Sequence, residues 1–206
     1  MNTQKLSEIL AAMRRKMESE KEFLTDLDNA IADGDHGINM AKGFAAVEAK
    51  LPQLADQKPG AILKTVGMTL VSAVGGSAGP LYGTAFMKAG ASLKDSDEIH
   101  MTDFLACMRA AVEGVMMRGR AVQGEKTMLD AMIPSLEAIK KAVSNGASDK
   151  DAILCGVEEA KKGVEFTKTI AATKGRASYI GERSIGHQDP GATSFTYLLE
   201  EIAFSL

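Results

Sequence analysis

Apolar residues recur along most of the chain at the three- and four-residue spacing of an amphipathic helix. No stretch alternates long enough to predict a strand. Leu6, Ile9, Leu10, Met13 and Met17 form the first stripe, over Lys5 to Glu18, with Arg14, Arg15 and Lys16 off it. A shorter segment from Glu20 to about Leu27 delivers Asp28 at its end, and a further helical pattern runs from Ile38 to Lys50. Pro52, Pro59 and Gly60 punctuate the next connection. Ile62, Leu63, Val66, Leu70 and Val74 then predict a helix that stops at Gly75.

After the run Gly75 to Pro80, helices are expected over Leu81 to Lys94 and Thr102 to Arg118. Leu129, Ile133, Leu136, Ile139 and Val143 predict the next, with Thr127 as its cap and Pro134 kinking it or lying in its first turns. Ser148 and Asp151 have capping-box spacing ahead of a long helix to about Thr173, and Ala192 to Phe204 closes the chain. The class is all-α, a bundle of roughly eight helices. The acidic corner near Asp28, the glycine run, the loop Gly119 to Lys126 and the loop Lys174 to Gly191 fall at every second junction. An up-and-down path brings all four to one end, which is then the active end.

The 206 residues, 45% of them apolar, suit one domain spanning 1–206. A net charge of −3 gives no reason to expect nucleic acid or an anionic membrane as partner. Cys107 and Cys155 lie far apart without the spacing of a zinc or redox motif, and no leader or membrane-spanning segment is evident, so a reducing cytoplasm is the expected location.

The densest chemistry lies in Asp28 to Met40, where Asp28, Asp33, Asp35 and His36 crowd a glycine-broken corner. Carboxylates this close repel one another unless a cation sits among them. All-oxygen ligands suit Mg²⁺ shared with phosphate, and no carboxylate follows at the distance that would close a Ca²⁺ loop. On the residues alone a solvated acidic turn stays open beside the metal reading. Gly75 to Pro80 offers amides and a helix N-terminus to an anion, or merely tight packing. Arg176 and Arg183, in the long late loop, could bind phosphate or form surface ion pairs. His36 is expected to orient neighbours or to face a nucleotide.

Five segments in order, DGDHGINM (33–40), Gly67-Met68-Thr69, VGGSAGPLYGTAF (74–86), GEKTM (124–128) and KGRASYIGERSIGHQDPGATS (174–194), resemble the ADP-binding L subunits of bacterial phosphoenolpyruvate-dependent dihydroxyacetone kinases. The resemblance spans essentially the full chain. It implies an eight-helix antiparallel up-and-down barrel whose end loops hold ADP or ATP through Mg²⁺, as a pair of ions. Asp28, Asp33 and Asp35 match the family's metal-holding aspartates and, with Arg176, its catalytic set. The nucleotide contacts would fall on His36, Gly37, Ile38 and Asn39, on Ser77 and Ala78, on Gly119, Met128 and Arg176, and on Asp189, Pro190 and Gly191. Ser77 and the glycine amides would hold the β-phosphate, Arg176 would neutralise charge, and Met128 would border the adenine.

The resemblance also implies two partners. A K subunit carries dihydroxyacetone, and an M subunit of the phosphotransferase system rephosphorylates the resident ADP. Ala32 stands where many relatives are expected to have glycine, beside the ligands but not among them. The alternatives are a Mg²⁺-dependent phosphohydrolase, a nucleotide-sensing regulatory module, and an L-type domain serving another partner-held substrate.

Overall fold

A computed structural model describes residues 1–206 and contains no strand. It has nine α-helices: α1 Thr3–Ser19, α2 Lys21–Ile31, α3 His36–Glu48, α4 Pro59–Ala73, α5 Ala78–Ser92, α6 Met101–Gly119, α7 Leu129–Ser144, α8 Asp149–Thr167 and α9 Pro190–Ser205. Two 3₁₀ segments, Leu51–Leu54 and Arg176–Ser184, complete it. Polar residues outside each apolar stripe set the starts. The Asn2 side chain accepts from the Lys5 amide at 2.9 Å, the Ser148 hydroxyl from the Asp151 amide at 3.2 Å, and the Asp189 carboxylate from the Ala192 amide at 2.7 Å.

Eight of the helices close a ring in which α1 packs on α3, the chain then follows α3 through α9 in order, and α9 returns to α1. This is the all-α up-and-down barrel expected. The ninth helix, α2, lies across the end of the ring against α3, α9 and the 3₁₀ segment Arg176–Ser184. It separates from α1 only at Glu20, which ends one helix and begins the other. One continuous core of 44 buried residues fills the ring, including Leu6, Met13, Phe44, Ile62, Leu70, Met132, Ile139 and Leu199. Removing that apolar surface from water is the main source of stability. No helix is long and apolar enough to cross a membrane.

Several boundaries differ from the expected ones: α5 begins at Ala78 rather than Leu81, with Pro80 already inside its first turn, and Met128 rather than Thr127 stands at the N-cap of α7. The apolar stripe continues through Ile170, yet α8 ends at Thr167, because the Thr167 and Ile170 carbonyls are taken by the Lys126 ammonium. The late loop is not structureless: its centre is a pair of 3₁₀ turns joined at Gly181, whose φ of 57° reverses the chain.

Pro134 lies inside α7, where it has no N–H to offer the Asp130 carbonyl four residues earlier. Helix α8 meets that carbonyl through Gly163: a Cβ there would sit 2.1 Å from the Asp130 oxygen and 2.8 Å from its carbon. The two helices cannot approach this closely over a side chain. Gly163→Ala is therefore expected to lower the unfolding free energy by about 1–3 kcal/mol through overpacking, read from the denaturant midpoint, whereas Gly146→Ala, in open space, should act only through its positive φ.

Candidate functional site

The acidic corner is built where α2 stops. Asp28, in the last turn of α2, is 6% exposed, and its Oδ2 accepts the amides of Asp35 at 2.9 Å and His36 at 3.2 Å. One carboxylate oxygen thus satisfies the first amides of α3, so the corner is rigid before any ligand arrives. Gly34, with φ 71°, makes the bend between them; a Cβ there would collide with the Asn29 side chain at 1.8 Å. The Asp35 carboxylate makes no capping bond of its own. One ligand oxygen from each of Asp28, Asp33 and Asp35 lies within 4.8 Å of the others. The only ion pair in this group is between Asp33 and the Arg176 guanidinium, at 3.1 Å.

These carboxylates open onto a cavity of about 470 Å³, a size typical of small-molecule sites. Gly75, Gly76 and Ser77 form a second wall between α4 and α5. A Cβ on Gly76 would lie 3.8 Å from Asp35 Oδ1, so the run passes directly against the acids. Ser77 stands at the N-terminus of α5 with no hydrogen bond from its side chain, leaving the helix-end amides and the hydroxyl to a ligand. Leu81, Val115, Gly119, Ala121 and Met128 supply an apolar side. The turn Asp189 to Gly191 closes the cavity. Asp189 is pushed up to about 7, mainly by burial and then by the charges of Asp130 and Asp28, against the Ala192 amide and the Lys126 charge that lower it.

Below the floor lies a buried polar network. His36 Nε2 is 2.8 Å from Ser194 Oγ, Tyr82 Oη is 2.7 Å from the same oxygen, and the Tyr82 hydroxyl donates to the Gly191 carbonyl at 3.2 Å. The network joins α3, α5 and α9 directly under the acids. Burial lowers His36 from 6.5 to about 4 despite neighbouring Asp35, so the imidazole is neutral, and burial raises the Tyr82 hydroxyl well above its ordinary value.

Of the residues singled out from sequence, Asp28, Asp33, Asp35, His36, Ser77, Ala78, Gly119, Met128, Arg176, Asp189, Pro190 and Gly191 line this one cavity. Gly37, Ile38 and Asn39 do not. Gly37 packs α3 on α2, where a Cβ would fall 2.0 Å from the Lys21 carbonyl. Ile38 is 49% exposed, and Asn39 lies behind the wall beside Gly75. Tyr82, Ser194, Asp130 and Lys126 were not anticipated. Tyr82 reads as one more residue of an apolar stripe, and Ser194 as a polar residue within a helix. Lys126 carried a usable signal, a lone lysine between Glu125 and Thr127 where the chain enters α7.

The fold is an all-helical ring that gathers three carboxylates, a glycine run and a helix N-terminus at one cavity. The DAK2 domain model matches residues 30–204, and the chain belongs to that family. It is 43% identical over 187 residues to the ADP-binding subunit DhaL of the PEP-dependent dihydroxyacetone kinase of Escherichia coli, covering 91% of this chain and 89% of that protein. It is 38% identical over 195 residues to the ADP-binding subunit DhaL of the PTS-dependent dihydroxyacetone kinase of Lactococcus lactis, covering 95% and 93%. The fold also matches the crystal structure of the dihydroxyacetone kinase from C. freundii in complex with AMP-PNP and Mg²⁺, with a TM-score of 0.77 at 21% identity, over 98% of this chain and 34% of that one.

The two shifted groups oppose each other in acid. For His36 the folded value, about 4, lies below the unfolded 6.5, so its contribution is complete above pH 6.5 and is lost as pH falls toward 4. Asp189, raised from 3.8 to about 7, acts in reverse: the folded state holds the extra proton, and stability falls as pH rises through that window. In metal-free protein, His36→Gln should remove a loss on the order of 2 kcal/mol between pH 7 and pH 5. The difference in thermal midpoint between those two pH values should shift in that sense relative to the parent protein.

Proposed function

We propose that this chain is the nucleotide-holding L subunit of a dihydroxyacetone kinase, a single domain over 1–206 acting in the cytoplasm. The observation that carries the reading is the convergence of Asp28, Asp33 and Asp35 on a cavity that also meets the glycine run and the N-terminus of α5. The donors are all oxygen, all acidic, and mutually close, which is what a hard divalent cation requires and what no solvated turn requires. The match to the two DhaL subunits over most of both lengths supports the same reading.

Asp28, Asp33 and Asp35 would hold Mg²⁺, which when bound neutralises phosphate charge and orients the phosphates for in-line transfer. The remaining work belongs to the chain. The amides of Gly75 to Ser77 and the Ser77 hydroxyl donate to the β-phosphate. Arg176 faces the acids from the opposite wall and stabilises charge on the transferred group. Met128 and the apolar side receive the adenine, and the Asp189 to Gly191 turn shuts that end. The buried network of His36, Tyr82 and Ser194 holds three helices in register beneath the phosphates. Phosphoryl transfer asks chiefly for such positioning and charge stabilisation.

The acceptor must come from elsewhere. A covalent or hydrogen-bonding histidine for a small ketone is not offered by His36, whose ring is buried and engaged by Ser194. Dihydroxyacetone is accordingly held by a K subunit, and the phosphotransferase-system M subunit returns a phosphoryl group to the ADP left behind.

Isothermal titration with ADP in Mg²⁺ is expected to show one tight site. Asp33→Asn should weaken it about 10–100-fold, with the dependence on Mg²⁺ reduced. Unchanged affinity in that variant would remove Asp33 from the metal set. Release of phosphate from ATP by the chain alone, without K or M subunits, would favour a hydrolase instead. At about 100 times the dissociation constant, ADP-Mg²⁺ should add roughly 2.7 kcal/mol of stability to the parent chain, read as a rise in thermal midpoint.

A further inference from the structure

Lys126 is 1% exposed. Its Nζ donates to the carbonyls of Thr167, Ile170 and His187, so its three protons meet three acceptors. Those acceptors have a telling distribution. Thr167 and Ile170 are where the chain leaves α8, and His187 is where it returns toward α9. The excursion between them, 168–188, carries Arg176, which reaches Asp33 at 3.1 Å. Two other bonds close the same neck: the Gly186 amide to the Lys168 carbonyl at 2.8 Å, and the Asp189 amide to the Thr167 hydroxyl at 2.9 Å.

The backbone of Lys126 points to the same demand. Its φ is 59°, in the left-handed region that favours glycine. The flanking amides of Gly124 and Thr127 are both held by the fully buried Asp130 carboxylate. At a position where backbone geometry favours glycine and burial opposes charge, the lysine's three hydrogen bonds are what offset both costs. A methionine of similar length offers no donor, and a glutamine too few for three carbonyls.

We infer that Lys126 is a positioning residue of the nucleotide site: its buried ammonium closes the neck of the 168–188 strap and so sets where Arg176 and the Asp189 to Gly191 turn stand relative to the acidic corner. The inference deepens the functional reading above and rests on it for the nucleotide, while the strap geometry stands by itself. Lys126 does not itself reach the phosphates, since all three of its protons are engaged with the carbonyls. Its effect passes through the strap, and a role confined to general stability would leave the strap's local opening unchanged.

The test uses the full chain and reads opening directly. Trypsin can cut the strap after Lys174, Arg176 and Arg183, all of them at least partly exposed. Lys126→Met and Thr167→Val, the second removing only the hydroxyl that receives the Asp189 amide, are compared with the parent for helical circular dichroism, cleavage at those sites, and ADP affinity in Mg²⁺. Lys126→Met is expected to keep its helical signal, to be cut in the strap about tenfold faster, and to bind ADP at least about tenfold more weakly. Thr167→Val should move both readouts the same way by roughly threefold. Strap cleavage and affinity at the parent values in Lys126→Met would overturn the inference. Should that variant fail to fold, Lys126→Gln, with too few donors for the three carbonyls, takes its place, and parent values in it would overturn the inference equally. A parent chain that binds no ADP would defeat the functional reading, and the cleavage arm would still decide the role of Lys126.

Discussion

Three carboxylates held within 4.8 Å of one another cannot be left to themselves. Their repulsion is the constraint on which the active end of this fold depends, and the surroundings relieve it in stages. Asp28 is satisfied internally, its Oδ2 taken by two amides of the next helix. Asp33 is paired with Arg176 from the far end of the chain. Asp35 faces the glycine run, where the amides and the α5 terminus supply partial positive charge without side-chain bulk. A closed ring of helices is well suited to this task. It supplies a rigid rim around an apolar interior, and the charges can be gathered at the rim without entering the core.

The same rim explains the division between wall and support. Residues with a free polar group, such as Asp35, Ser77 and Arg176, stand on the cavity side. Residues whose polar groups are spent on other parts of the chain support it, Asp130 from behind and His36 and Lys126 from the cavity's own edge. The second group costs the molecule desolvation and, at Lys126, an unfavourable backbone angle. At His36 and Lys126 the cost is offset by hydrogen bonds that link segments remote in sequence, and at Asp130 by amides of its own loop, which is why the wall keeps its shape.

Much of the helical layout was legible in the spacing of apolar residues, because each helix buries one face on a single core. The boundaries that escaped were those decided by a distant side chain. Ile170 extends the stripe of α8, but Lys126, more than forty residues earlier, takes the carbonyls that the helix would have used. The acidic corner was legible as a cluster, and resemblance supplied its partners in the glycine run and the late loop. Within DGDHGINM, however, a contiguous motif does not mean a contiguous surface. Successive residues of a helix are turned about 100° apart, so His36 faces inward, Ile38 faces solvent, and Asn39 lies behind the glycine wall. Tyr82 and Ser194 were illegible for a related reason, since only the crossing of α3, α5 and α9 brings their hydroxyls to one histidine.

Closure of the ring between α1 and α9 has a temporal consequence as well as a spatial one. The neighbouring pairs α4 with α5 and α7 with α8 are hairpins that can form from local sequence as the chain emerges. The cavity cannot. Its floor needs Ser194, its rim needs Arg176 and its closing turn begins at Asp189, all of them in the late strap and the last helix. A nascent chain on the ribosome can therefore hold most of its helices and still have no site. The cavity takes its shape only once α9 has seated against α1, so the ring has to close before the site exists.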